Sequence, residues 1–433
     1  MIHTFYRLGR LYAASPMLVL VAIACTSAVV GLSLTVPWIL KAVLDYGLAQ
    51  HQRRFLYMAG ALLVAVTVVR GVVAYGQSYV TAHLAQHLAY RLRHLLYDQI
   101  QRSSFAYHDH MPTGDLMSRA TADVEAVRLF FQFGWPTGLN VAFTATGTIV
   151  AMAWLDWRLG VLTVLSLPFF LGVILGIGRM LQPLQVRVQE KTADLTITLQ
   201  ESLAGIRVVK AFARARQQTE GFIEAADSLA QARIAVAARA SLVFPLLTLL
   251  LSLAVACTLY IGGRQVMAGA MSLGTLVAAT GYLVQLAQPL RRLSWLTGMA
   301  SLCQVGAERL FAILDTIPDV QDTPQARPLP HLDGWVQFEH VSFRYSANVP
   351  VLHDITFSTA PGQVIALLGS TGSGKSTIAQ LIPRFYDVTS GCITIDGVDI
   401  RAYQVAALRQ HIGIVMQDTL LFSATIRDNI AYG

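Results

Sequence analysis

Charge is what this 433-residue sequence has least of. Asp, Glu, Lys and Arg together make up 13% of it, and 54% is hydrophobic; an average soluble domain carries about 25% charged residues. At a mean hydropathy of +0.52, that scarcity excludes a disordered chain, a collagen-like repeat and an ordinary soluble enzyme. Lysine is nearly missing: only Lys41, Lys191, Lys210 and Lys375 occur, so arginine carries most of the formal net charge of +7. The preference for arginine hints at a GC-rich bacterial genome. Cysteine is also sparse. Cys25, Cys257, Cys303 and Cys392 lie far apart with no CxxC pair, which excludes a disulfide framework or zinc site and leaves four reduced, packed small residues. A basic chain can bind nucleic acid, but in one this apolar the excess reads as cytoplasmic loops of a membrane protein. No nucleic-acid partner is expected.

Long apolar runs are what is present. Crossing the hydrocarbon core takes about 20 apolar residues in a helix, and six segments qualify, at about 17–44, 55–79, 136–155, 159–180, 242–262 and 273–295. The first is too long for the core of a signal peptide and has no evident cleavage site, so it counts as a span. Links after spans 1, 3 and 5 are short. Those after spans 2 and 4 are long and keep a helical pattern, over Thr81–Ala106 and Leu184–Ala240, with little Pro or Gly, so these helices should run on beyond the bilayer. Arginine and lysine crowd both long links and the amino terminus, whereas the short links hold only Arg53, Arg54, Arg158 and Arg264. The positive-inside rule therefore predicts cytoplasmic termini and long links in a multi-pass protein of a bacterial inner membrane. Arg70 falls within span 2. It either faces a wet cavity or, about 22 Å below the outer end, snorkels to the inner interface. Pro37, Pro168 and Pro245 also fall in spans and should kink them.

After span 6 the composition changes. Residues 315–335 read as a linker, and strands are predicted at Val336–Tyr345, Leu352–Ser358 and Gln363–Leu368. Next come Gly369-Ser370-Thr371-Gly372-Ser373-Gly374-Lys375-Ser376-Thr377, a complete G-x-x-x-x-G-K-[ST] motif followed by a predicted helix at Thr377–Phe385. Strand, loop and helix is the setting in which glycines let backbone N–H groups close on a β-phosphate. Lys375 then reaches the β- and γ-phosphates, and the Ser376 hydroxyl is placed for Mg²⁺. ATP and Mg²⁺ are the expected ligands.

These residues give the chain its likeness to a known family: it resembles a half-size ABC exporter over essentially its whole length. Phe343-Arg344-Tyr345 resembles the A-loop, implying that Tyr345 stacks on adenine. Ile412-Gly413-Ile414-Val415-Met416-Gln417 resembles the Q-loop, implying that Gln417 touches Mg²⁺ and senses the γ-phosphate. Arg384-Phe385-Tyr386-Asp387 and Ser390–Gly397 follow the pattern between them. Pro112–Arg119 and Gln200–Phe212 resemble the two coupling regions that dock on nucleotide-binding domains, the second on the partner's. The implied fold is an all-α, six-helix membrane domain (1–314) with long cytoplasmic helical extensions, then part of an α/β P-loop NTPase domain (336–433). The implied function is ATP-driven export of a lipid, drug or other amphiphile by a dimer of half-transporters in the lipid bilayer. Whether the second half-transporter is a copy of this chain stays open.

The sequence departs from the family pattern in one respect. It holds no Leu-Ser-Gly-Gly-Gln, and no apolar run ending in Asp-Glu follows the P-loop. The Walker B Glu and switch His implied by the resemblance have no counterpart, so no catalytic residue is assigned. The expectation is that the 433 residues are a fragment unable to hydrolyse ATP alone. The alternative is a non-hydrolysing ATP-binding membrane subunit or regulator. A membrane-tethered kinase or GTPase fits less well, since a guanine-reading Asn/Thr-Lys-x-Asp motif is absent.

Overall fold

A computed structural model describes residues 2–432 apart from 14, 329–330, 347–348 and 418–419. The expected linker, 315–335, lies partly outside the described residues. In chain order, α1 (Ile2–Tyr12) precedes α2 (Pro16–Ala42), which continues as a π-helical stretch over Val43–Leu48. Then come α3 (Arg53–Arg102), α4 (Phe105–His110), α5 (Thr113–Ser118), α6 (Val124–Leu129), α7 (Trp135–Leu155), α8 (Trp157–Ala204), α9 (Ile206–Ala211), α10 (Ala215–Ala240), α11 (Val243–Met267) and α12 (Leu273–Leu314). The remainder is β1 (Val336–Ser346), β2 (Val349–Thr359), α13 (Lys375–Leu381), β3 (Ser390–Ile395), β4 (Val398–Asp399), α14 (Val405–Gln410) and α15 (Ile426–Ile430). Two compact units result, one of residues 1–91 and 124–307, the other of 92–123 and 308–433.

The first unit is helical. Pro16–Leu48, Arg53–Arg102, Thr113–Leu155 and Ala215–Met267 are long and apolar enough to cross a membrane, and shorter apolar stretches occupy Trp157–Phe170 and Leu273–Ala287. The chain is an integral membrane protein. Its helices face outward with the residues a soluble protein hides: on α3, Tyr57, Met58, Val64, Val68 and Val72 are all exposed, as lipid contact requires. At 50 residues, α3 is about 75 Å long, far more than the ~30 Å hydrocarbon core, so it extends well past the bilayer. Small clusters join the helices internally. Met152 and Leu159 pack with Ala278, Ala279, Tyr282 and Leu283, and Phe170 packs with Leu247 and Leu286. The amino-terminal helix is anchored by Tyr12, whose ring lies 4.7 Å from that of Phe131 and whose hydroxyl accepts from Trp135 Nε1 at 3.0 Å.

The second unit centres on an antiparallel sheet of order β2-β1-β3-β4. Its core is Phe338, Val341, Phe343, Leu352, Leu381, Ile393 and Ile395. Asp396-Gly397 joins β3 to β4 with φ of 54° and 77°, the two left-handed residues of a tight hairpin turn. The Asp396 carboxylate also accepts the N–H groups of Asp333, Gly334 and Trp335, tying the start of β1 to that turn.

Two expectations need correction. Gln363–Leu368 forms no strand: the segment is irregular and open, with Val364 92% and Leu368 94% exposed. A strand needs a neighbour to satisfy its backbone, and among the described residues no parallel strand lies alongside this one. The helix expected over Thr377–Phe385 begins at Lys375 and stops at Leu381, because Pro383 has no N–H to continue the ladder.

Candidate nucleotide site and membrane cavity

The P-loop turns on two glycines. Gly372 has φ of 84° and Gly374 of 91°, a left-handed region costly for any residue with a Cβ. A Cβ on Gly374 would also lie 2.6 Å from Leu352 Cδ2 and 3.4 Å from the Val351 carbonyl, so the loop closes against β2 only with glycine there. Gly369 to Ser373 stay exposed, and the Lys375 side chain reaches back over them. Its ammonium donates to the carbonyls of Gly369 and Ser370 at 2.8 and 2.7 Å. A cation held against main-chain carbonyls at the mouth of an open glycine loop fits a polyphosphate, whose oxygens would replace those carbonyls as the ammonium's acceptors. Ser376 is exposed at the start of α13, and Thr377 is buried beneath it.

Tyr345 stands beside this loop. Its hydroxyl donates to Gln380 Oε1 at 2.9 Å and lies 3.1 Å from Thr377 Oγ1. The ring is 40% exposed, with one edge against Tyr386 at 5.2 Å. The expected adenine-facing aromatic is therefore next to the P-loop helix. Gln417 is not brought in. It is exposed in an irregular stretch, and among the described residues no hydrogen bond joins it to Ser376.

The helix just before the region resembling the first coupling segment, α4, is held by residues the sequence reading did not assign. Phe105 of α4 stacks on Phe385 at 4.1 Å, and the buried Tyr386 hydroxyl donates to Asp109 Oδ2 at 2.6 Å. Burial, first, and then the Asp109 carboxylate push the Tyr386 hydroxyl's pKa well above its ordinary value. The only advance signal was the pair of aromatics in Arg384-Phe385-Tyr386-Asp387. The second segment, around α9, exposes Leu203, Val208 and Phe212.

Within the helical unit, Arg70 lines a cavity of about 400 Å³ with Ser33 and Leu34 of α2, Asn140 and Thr144 of α7, and Gln285 and Arg292 of α12. A smaller cavity of about 240 Å³ shares Asn140 and Arg292 and adds Gln77 and Gln132. Neither has an acidic residue in its wall, and among the described residues neither arginine has an ion-pair partner. Of the two readings of Arg70, the wet cavity is the one that matches this placement. Arg292 went unassigned although it, too, is a charge within an apolar run.

Comparison with known proteins supplies the rest. The family described as ABC transporter transmembrane region matches residues 19–290, and that described as ABC transporter matches residues 352–432. The chain belongs to the ABC transporter family. Among its relatives is the ATP-dependent lipid A-core flippase of Syntrophus aciditrophicus (strain SB), 32% identical over 413 residues, which are 95% of this chain and 69% of that protein. The fatty acid ABC transporter ATP-binding/permease protein of Mycobacterium bovis is 34% identical over 377 residues, 86% of this chain and 59% of that protein. A multidrug efflux ATP-binding/permease protein of the same species is 31% identical over 398 residues, 92% of this chain and 33% of that protein. The chain is thus of the half-size ABC exporter kind, a membrane domain joined to an ATP-binding domain of the ABC type.

Proposed function

We propose that the chain is the membrane and ATP-binding part of a half-transporter that works as a dimer and exports anionic amphiphiles. The cavity carries the substrate reading. Leaving an arginine in a membrane interior costs about 3 kcal/mol on insertion scales, and Arg70 and Arg292 share one small cavity with no acid in its wall. Two like charges on the wall of one cavity call for an anion. A phosphate or carboxylate headgroup supplies it, while Leu34, Val29 and Val30 meet an acyl chain. Of the relatives named above, the lipid A-core and fatty acid transporters fit this chemistry.

The ATP-binding part contributes a cradle: the loop from Gly369 to Thr377 with Lys375 for the phosphates, Tyr345 for adenine, and Ser376, with Gln417 once it swings in, for Mg²⁺. When bound, ATP–Mg²⁺ supplies the free energy of the cycle. The exposed apolar residues around α9 support docking on a second half-transporter, and the crowding of arginine in the long links supports six spans with both termini in the cytoplasm of a bacterium. With Gln417 apart from the P-loop and no Walker B Glu or switch His in the sequence, the 433-residue chain alone should bind ATP without turning it over, matching a Lys375→Ala control in a phosphate-release assay. Robust Mg²⁺-dependent turnover would refute that.

Substrate charge is tested with the chain in nanodiscs, reading tryptophan fluorescence on addition of dodecyl phosphate or dodecyltrimethylammonium. Dodecyl phosphate should bind, and Arg70→Gln or Arg292→Gln should each weaken it about tenfold, a loss of one charge-assisted contact. Equal binding of the cationic amphiphile, or indifference to both substitutions, would overturn the anionic reading.

A further inference from the structure

Tyr79, His83, His87 and Tyr90 succeed one another on α3 at the spacing that keeps side chains on one face of a helix. Their rings form a ladder. Successive centroids are each 6.3 Å apart, with interplanar angles of 16°, 7° and 13°. All four residues are exposed, whereas Leu84, Ala85 and Leu88 among them are buried, so the ladder faces away from the helical unit. It has no part in the membrane cavity or the P-loop. The apolar run of the second span ends at Tyr79, so His83 and His87 lie about 6 and 12 Å beyond it along the helix, past the hydrocarbon and within reach of ions in water.

Two histidines one turn apart on an open helix face are a chelating pair. Among the described residues neither imidazole has a hydrogen-bond partner, so a ring nitrogen of each is free to bind. Metal–nitrogen bonds of about 2.1 Å at a tetrahedral angle set two ring centres about 5 Å apart. The pair closes by roughly 1 Å through side-chain torsions, which an exposed surface leaves free. We propose that His83 and His87 form a two-imidazole chelate for a late divalent metal ion of the Zn²⁺ and Cu²⁺ class, where α3 leaves the bilayer. The donor set fixes that class: no Asp or Glu occurs from residue 71 to 97, so Ca²⁺ and Mg²⁺ find no oxygen ligands, whereas imidazole suits zinc and copper. Each neutral imidazole displaces one water from the ion. Among the described residues no group of three His, Cys, Asp or Glu is placed to hold a metal, so the other positions keep water and the ion exchanges readily. While bound, it ties two consecutive turns of α3 together and favours the helix there.

The test titrates the full chain in nanodiscs with Cu²⁺ by calorimetry and reads the coordinated nitrogens by electron paramagnetic resonance. The tightest site should show two imidazole nitrogens. His83→Asn and His87→Asn should each weaken it about tenfold or more, because the second imidazole binds intramolecularly, and His94→Asn, farther along the helix, should leave it unchanged. Zn²⁺ should slow amide exchange of residues 80–91 in the unaltered chain and not in His83→Asn. Binding of a fluorescent ATP analogue by every variant shows that it is folded. Cu²⁺ affinity unchanged in both His83→Asn and His87→Asn, or a spectrum with a single nitrogen, would overturn the chelate.

Discussion

The hold of α4 on the sheet unit can be divided between a stack and a hydrogen bond, and the two differ in size. Phe105 is 39% exposed, so about 60% of a side chain burying roughly 200 Å² is covered by Phe385 and its surroundings, about 3 kcal/mol at 25 cal/mol/Å². The Tyr386–Asp109 bond involves a carboxylate, which raises its strength, but Asp109 is exposed and rehydrates once the hydroxyl is gone. Its net worth is then about 1 kcal/mol. Hydrogen–deuterium exchange of a peptide covering residues 103–112 reads both, because opening of α4 sets the exchange rate. Phe105→Ala should speed exchange by about two orders of magnitude and Tyr386→Phe about fivefold. The neutral hydroxyl is favoured in the folded state, so its contribution is complete below about pH 10 and is lost as pH rises beyond that. A larger effect from Tyr386→Phe than from Phe105→Ala would refute the division, as would acceleration spread evenly over β1–β4.

Gly374→Ala should abolish binding of a fluorescent ATP analogue, because it adds a clash with Leu352 to a left-handed φ; retained affinity would contradict the cradle geometry. Lys375→Met should weaken the same binding at least tenfold without changing thermal stability, since the ammonium meets only loop oxygens. Burial favours the neutral form of Asp399, but the hydrogen bonds from Arg401 outweigh it and the carboxyl sits below its ordinary pKa. The pair therefore stabilises the β3–β4 hairpin above about pH 4 and is lost as pH falls below that. Exchange protection of residues 390–403 should drop over that acid range, and Asp399→Asn should flatten the drop.

Much of the fold was legible because a bilayer enforces a coarse rule: long apolar runs become helices. The continuation of α3 past any bilayer followed from Ala, Gln and Arg replacing Gly and Pro, and the β1 and β2 strands from their alternation. The P-loop was readable because its chemistry fixes glycine and lysine at set spacings. Gln363–Leu368 misled because composition marks a strand while pairing makes one, and a single segment says nothing of its neighbour. Arg292, Asn140 and Gln285 escaped notice for a related reason. Each is ordinary on its own helix, and only packing of α2, α3, α7 and α12 turns them into one polar wall. Tyr386 and Asp109 lie 277 residues apart, and no local pattern points across that distance.

The open run before the P-loop also bears on what the chain can pair with. Val364-Ile365-Ala366-Leu367-Leu368 carries no charge and no proline, and among the described residues its backbone has no sheet to join. Segments of that kind pair with one another between molecules. A parallel strand laid beside the run would cover its valine and leucines and satisfy its backbone, setting the P-loop that follows at the end of a paired strand.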